Sequence, residues 1–222
     1  FAADVAHEIK NPLSSLRSAT ETFSRTKTAA QKKQLLGVIL QDVQRLDRLI
    51  TDISQASRID HEIMGQNLTL VDFASLINNF LQMRSQTYSE HKLDFDMPEL
   101  PVMLKVNESR IVQVLDNVLS NAISFSPKRQ TIKFILRCQE SNNNIVLDVI
   151  DTGPGIPETK LETVFDRFYS ERPSDEDFGE HSGLGLSIAR QIVSAHNGKL
   201  TAHNQPGGGA CFRLALPLES YC

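Results

Sequence analysis

No apolar run in the 222 residues approaches the ~20 needed to span a bilayer, and no signal peptide is visible. Tryptophan is absent, and cysteine is scarce. Cys138, Cys211 and Cys222 are an odd number without metal-ligand spacing, which excludes a disulfide frame and reads as reduced thiols in a cytoplasmic protein. Charge is also weak, with 23 basic against 27 acidic residues for a net −4. That balance leaves no electrostatic case for nucleic acid or for a membrane surface. What remains is a chain of ordinary hydrophobic content, long enough for one or two domains with real cores. It opens directly on a chemically suggestive stretch, and so reads as a fragment whose upstream part has been removed.

Periodicity supplies the elements. Residues 1 to about 25 place Ile9, Leu13, Leu16, Ala19 and Phe23 at helical spacing. After the polar Thr26-Lys27-Thr28, a second helix carries Leu35, Ile39, Val43, Leu46, Ile50 and Ile53. With Leu36 and Leu49 beside it, that stripe is wider than one antiparallel partner needs. The spacing predicts a hairpin that closes a four-helix bundle with a second copy of the chain. Packing of the hairpin on the rest of its own chain is the alternative.

Polar sequence from about 57 to 67 reads as a linker. Beyond it, helices are expected from residue 73 to about 81, and near 108–125, 158–165 and 184–196, the last closed by Asn197-Gly198. Strands are expected near 92–96, 102–106, 132–138, 145–150, 199–203 and 210–216. The mixture predicts an α+β fold, with one sheet covered by helices on one face.

Four stretches carry chemistry. In His7-Glu8-Ile9-Lys10-Asn11-Pro12, a neutral imidazole is a usable nucleophile near neutral pH. It attacks best when its other nitrogen donates a hydrogen bond to a carboxylate, which fixes the tautomer and steadies the developing charge, and Glu8 is the adjacent candidate. Asn11, one helical turn on, lies on the same face, where its amide can orient a water. Pro12 lacks an N–H, so a bend just past the site is expected. Alone, the segment equally fits an ordinary surface histidine. Asn117 and Asn121 project together from the polar side of the 108–125 helix, where amide oxygens can serve Mg2+. A solvated face fits the same pattern.

Asp151-Thr152-Gly153-Pro154-Gly155-Ile156-Pro157 follows an apolar strand directly. A carboxylate at a strand end can accept from an exocyclic amine such as adenine presents, and glycines let backbone and base come close. Ser182-Gly183-Leu184-Gly185-Leu186 puts glycines at a helix start, where free N–H groups and the helix dipole attract phosphate. It is neither a dinucleotide fingerprint nor a P-loop. The intervening 171–181 is too charged to pack well and reads as a mobile lid or as a plain surface loop.

Taken in order, these stretches resemble the phosphoacceptor, N, G1 and G2 boxes of the sensor histidine kinases. Phe165-Asp166-Arg167-Phe168-Tyr169 resembles their F box. The resemblance covers essentially the whole chain. Arg45 to Ile50, Ser124-Phe125-Ser126-Pro127 and Phe168 to Pro173 look most like the ChvG/ExoS type of alphaproteobacterial sensor kinase. It implies a phosphoacceptor and dimerisation domain over 1–60, a linker over 61–70 and a Bergerat-type ATP-binding domain over 71–222. It implies ATP and Mg2+ as cofactors, with His7 phosphorylated, Glu8 assisting it and Asn11 placing water for a regulator phosphatase reaction. By the same resemblance Asp151 reads adenine and Asn121 holds the metal. Asn117, Gly153, Gly155, Ile156, Phe168, Gly183, Leu184, Gly185 and Leu186 line the nucleotide.

The implied partners are a second copy of the chain and a cognate response regulator, with no nucleic acid. Membrane contact would come only through an absent upstream sensor segment, which makes this the cytoplasmic end of a bacterial inner-membrane receptor. One departure matters. Many relatives carry a basic residue at the positions of Ser124 and Ser170, and here Arg172 or Arg167 would have to substitute. An ATP-driven conformational clamp and a catalytically weak dimerisation module are the rival readings.

Overall fold

The computed structural model describes residues 2–62, 68–98, 101–139, 143–169 and 183–218. They divide into two compact units. One is Phe1–His61 with Arg167–Gly185, and the other is Glu62–Asp166 with Leu186–Cys222.

In the first unit, α1 (Ala2–Arg25) and α2 (Ala29–Glu62) are joined by residues 26–28. α1 is unbroken through Pro12, whose ring is buried. Thr28 starts α2 with its hydroxyl 2.7 Å from Gln31 Oε1, the Thr-x-x-Gln spacing of a capping box. α2 runs about six residues into the expected linker, because nothing before Gly65 breaks a helix there. Ala19 and Leu49 are buried, whereas Leu36, Leu40, Val43 and Ile50 leave about half of each side chain in solvent.

The second unit contains β1 (Thr69–Asp72), α3 (Phe73–Thr87), β2 (Lys92–Asp96), β3 (Met103–Val106) and α4 (Glu108–Phe125). β4 (Thr131–Gln139) and β5 (Asn144–Ile150) follow, then α5 (Gly185–Ala195), β6 (Lys199–Asn204) and β7 (Ala210–Pro217). Five strands form one sheet in the order β2-β4-β5-β7-β6, while β1 and β3 pair separately as an antiparallel ribbon. The expected single sheet is therefore two. β1 carries no alternation long enough to read from sequence, and pairing with β3 defines it. Within the larger sheet β2 and β4 are parallel and the other pairs antiparallel.

Alternation along β4 buries Ile132, Phe134 and Leu136, with β5 and β7 adding Leu147, Val149, Phe212 and Leu214 to the same face. α3 and α4 close this core through Phe73, Ile77, Ile111, Leu115 and Leu119. Phe73, Phe134 and Phe212 are essentially inaccessible, and each contributes about 1.5–3 kcal/mol by burial. Arg84 of α3 grips Asp116 of α4 through two bonds of 2.6 Å, which sets the two helices relative to each other. The stretch expected as a helix over 158–165 is two separate 3-10 turns, Glu158–Lys160 and Thr163–Phe165. Phe165 is what fixes the second turn, standing edge-on to Phe212 with ring centroids 6.3 Å apart.

Candidate nucleotide and phosphoacceptor site

α4 begins at an Asn107 cap, whose side chain accepts the Arg110 N–H at 3.2 Å, and ends at Ser126. Its buried stripe faces the sheet and leaves Asn117 and Asn121, one turn apart, half-buried at the boundary. Asn117 Nδ2 is buried and meets no hydrogen-bond partner among the described residues. A buried amide left open costs free energy unless something fills its valence, so this one marks a place for a ligand. As it stands it donates, as a phosphate oxygen requires, and a half-turn of the amide presents its oxygen instead. Neutral oxygens on Asn117 and Asn121 suit a Mg2+ that keeps most of its waters. The residues fit that ion.

The end of α4 is stapled to the loop after β5. Ser126 Oγ accepts the Thr152 N–H at 3.2 Å, and a Cβ at Gly153 would come within 2.7 Å of the Phe125 carbonyl oxygen. Asp151 heads that loop and is buried, at 3% exposed. Its Oδ1 accepts two backbone N–H groups, from Gly153 and from Ala210, each at 2.9 Å. No described residue meets Oδ2. Burial pushes the carboxyl above its ordinary value, and the two N–H donors offset only part of that. One face of the carboxylate is thus fixed by backbone and the other is available to a donor.

Gly155 takes a φ of 81°, a left-handed conformation that only glycine adopts without strain. Gly209, with a φ of 89°, lies so close to the Asp151 carbonyl oxygen that any Cβ would collide with it. Ile156, half-buried, is bonded through both backbone groups to the Asn204 side chain. Leu186 sits in the first turn of α5.

Among the first unit's predicted residues, His7 and Asn11 are exposed on α1. The side chain of Glu8 lies outside the described residues, as do Ser170, the expected lid over 171–181 and Arg172 within it. Phe168 and Gly183, on either side of that stretch, meet directly. The Phe168 N–H donates to the Gly183 carbonyl at 2.9 Å, and both residues have positive φ, 64° and 72°. A Cβ at Gly183 would press on the Phe168 backbone at 2.9 Å. Leu184 is fully buried, and Gly185 opens α5 as its position in the motif predicts.

Sequence reasoning assigns no role to three residues that shape this site. Asn204 and Gly209 lie outside the motifs, at a strand end and a hairpin, and Ser126, within a stretch noted only for its resemblance, acts as a helix cap.

Residues 1–62 match the model of the His Kinase A (phospho-acceptor) domain. Residues 106–220 match that of the histidine kinase-, DNA gyrase B-, and HSP90-like ATPases. The chain belongs to the histidine kinases. Its sequence is similar to Sensor protein ChvG of Rhizobium meliloti (strain 1021), 44% identical over 98% of this chain and 40% of that protein. Sensor protein ChvG of Agrobacterium fabrum is 40% identical over 98% of this chain and 38% of its own length. The chain thus spans about 40% of these curated relatives. A solved structure of histidine kinase ThkA in complex with response regulator protein TrrA has the same fold. Its TM-score is 0.76 at 23% identity, over 98% of this chain and 60% of that one.

Proposed function

We propose that this chain is the catalytic core of a two-component sensor kinase, one that phosphorylates itself on His7 from ATP and passes the group to a response-regulator aspartate. The observation that carries the reading is Asp151. A carboxylate sunk at a strand end, bonded on one oxygen and open on the other, is built to accept from the exocyclic amine of adenine. Glycines at 153 and 155 keep side chains out of the approach, and Ile156 and Leu186 offer apolar surface to a base.

Phosphoryl transfer is mainly positioning and charge neutralisation. His7 is exposed on α1, where an incoming γ-phosphate can reach it. The ring nitrogen lone pair forms the new N–P bond as the bond from phosphorus to the β-bridging oxygen breaks and ADP departs. Glu8 steadies the positive charge that develops on the imidazole. Asn121, with Asn117 beside it, would hold Mg2+, which when bound neutralises triphosphate charge. Glycines 183 and 185, with Leu184 between them, lead into α5, whose first N–H groups suit phosphate oxygens, and Phe168 braces this turn. Asn11 places the attacking water in the reverse, phosphatase reaction on the regulator.

Support for a homodimer comes from Leu36, Leu40, Val43 and Ile50, an exposed apolar stripe along α2 that a second copy would cover. The domain reading is a phosphoacceptor and dimerisation domain over 1–60, a linker over 61–70 and a nucleotide domain over 71–222. No described helix is long and apolar enough to cross a membrane. Anchoring to a bacterial inner membrane would fall to a sensor segment upstream, with this part on the cytoplasmic side. The test is incubation of wild type and His7→Ala with γ-labelled ATP. Acid-labile, alkali-stable label on wild type alone is expected, and label kept at the wild-type level by His7→Ala removes His7 from the reaction.

A further inference from the structure

The end of the β6–β7 hairpin holds Asp151 and its glycine loop at once. Asn204 and Ala210 are cross-strand partners, the last pair of that ladder. Ala210 gives its N–H to Asp151 Oδ1, and its carbonyl accepts the Asp151 N–H, both at 2.9 Å. Across the pair, the Asn204 amide works as a short piece of backbone. Its Oδ1 accepts the Ile156 N–H at 2.8 Å, and its Nδ2 donates to the Ile156 carbonyl at 2.7 Å. A third bond, 3.0 Å from Nδ2 to Glu158 Oε1, stops the amide from turning over. A Cβ at Gly155 would come within 2.9 Å of the Asn204 oxygen, so the two are closely fitted.

We propose that Asn204 is a positioning residue for nucleotide selectivity: by clamping Ile156 it holds the glycine loop at the one distance from Asp151 that admits an adenine edge. The inference rests on the adenine reading of Asp151. Asp151 and Ile156 belong to one loop, and among the described residues the Asn204 amide supplies the hydrogen bonds that hold Ile156 at its far end. The carboxylate itself stays put, since Ala210 and Gly153 hold it. A loosened loop therefore weakens the binding that needs the Asp151 Oδ2 contact and barely alters binding that does not.

The experiment is calorimetric titration of the 222-residue chain with ADP and with inosine 5′-diphosphate, which lacks the exocyclic amine. Wild type, Asn204→Ala, Asn204→Asp and Glu158→Ala are compared, each with a thermal melt. In Asn204→Ala, ADP affinity is expected to fall about tenfold while that for the inosine nucleotide stays within about twofold. Glu158→Ala, which spares both bonds to Ile156, keeps the wild-type ratio. If Asn204→Ala lacks a cooperative melt, Asn204→Asp decides, because it keeps the acceptor for the Ile156 N–H and sets a carboxylate against the Ile156 carbonyl. A wild-type preference for ADP that survives in the deciding variant overturns this inference alone. A wild type with no preference for ADP overturns the adenine reading, and the inference with it.

Discussion

His196 accepts the backbone N–H of Asn107 on its Nε2 at 3.1 Å, joining the end of α5 to the cap of α4 across 89 residues of sequence. An N–H can only donate, so Nε2 carries a lone pair and Nδ1 carries the proton. Nδ1 then gives that proton to the Ile192 carbonyl at 2.8 Å, one turn back. Both ring nitrogens are used, each in the one role its partner allows. The helix that bears Asn117 and Asn121 is thereby tied at its start to the helix that follows the second glycine motif. His196→Phe keeps the bulk and leaves the Asn107 N–H without its acceptor. It is expected to cost about 1–3 kcal/mol, read as a fall in the urea midpoint at unchanged slope.

On the proposed adenine reading, Asp151 trades stability for recognition. Burial raises its carboxyl against only partial help from the Ala210 and Gly153 N–H groups. A raised carboxyl means the folded state holds its proton more tightly than the unfolded state does. The ionised form therefore costs stability at neutral pH, and the cost is relieved as pH falls through the folded value. Asp151→Asn keeps the oxygen that accepts both N–H bonds and removes the charge. The ligand-free variant should melt higher than wild type at pH 7, while ADP affinity falls on the order of tenfold to a hundredfold. A variant that melts lower, or that binds ADP as wild type does, contradicts this account.

On the other face of the sheet, Asp148 is 2% exposed between Arg213, which makes bonds of 2.7 and 2.9 Å, and Arg137, which makes one of 2.7 Å. Burial alone would raise this carboxyl, but the two guanidinium groups outweigh it and hold the carboxyl below its ordinary value. The sign is opposite to that at Asp151. Stability from Asp148 is present above the unfolded value, about 3.9, and is lost as pH falls through the folded one. Asp148→Asn should flatten the acid limb of a melting curve series below about pH 4. Arg213→Leu should cost about 1–3 kcal/mol at pH 7, and Arg137→Leu less, because Arg137 gives one bond and stands further in solvent.

Asn11 is exposed one turn beyond His7. Asn11→Ala should leave labelling of His7 from ATP near the wild-type level and slow the dephosphorylation of a phosphorylated response regulator. Equal dephosphorylation by wild type and variant would separate Asn11 from the water.

Much of this protein is local and so legible in residue order. Apolar spacing along 108–125 predicted a helix with the bounds that α4 has, since its caps and its buried stripe are all within one element. The placement of Gly185 at the start of α5 and the end of that helix before Asn197-Gly198 follow from backbone preferences of single residues. The motifs were readable for the same reason: each is a run of neighbours whose chemistry needs no distant partner to be recognised.

What tertiary structure decided is which distant groups meet. β1 exists because β3 pairs with it, and β2 runs parallel to β4 because the chain between them crosses over through α4. An asparagine at 204 and a histidine at 196 are ordinary residues in the sequence, and their partners lie 48 and 89 positions away. A side-chain amide can bond almost anything within reach, so its own identity selects no partner. The order of strands in the sheet sets the Asn204 amide against Ile156, and the packing of α5 brings the His196 ring to the cap of α4.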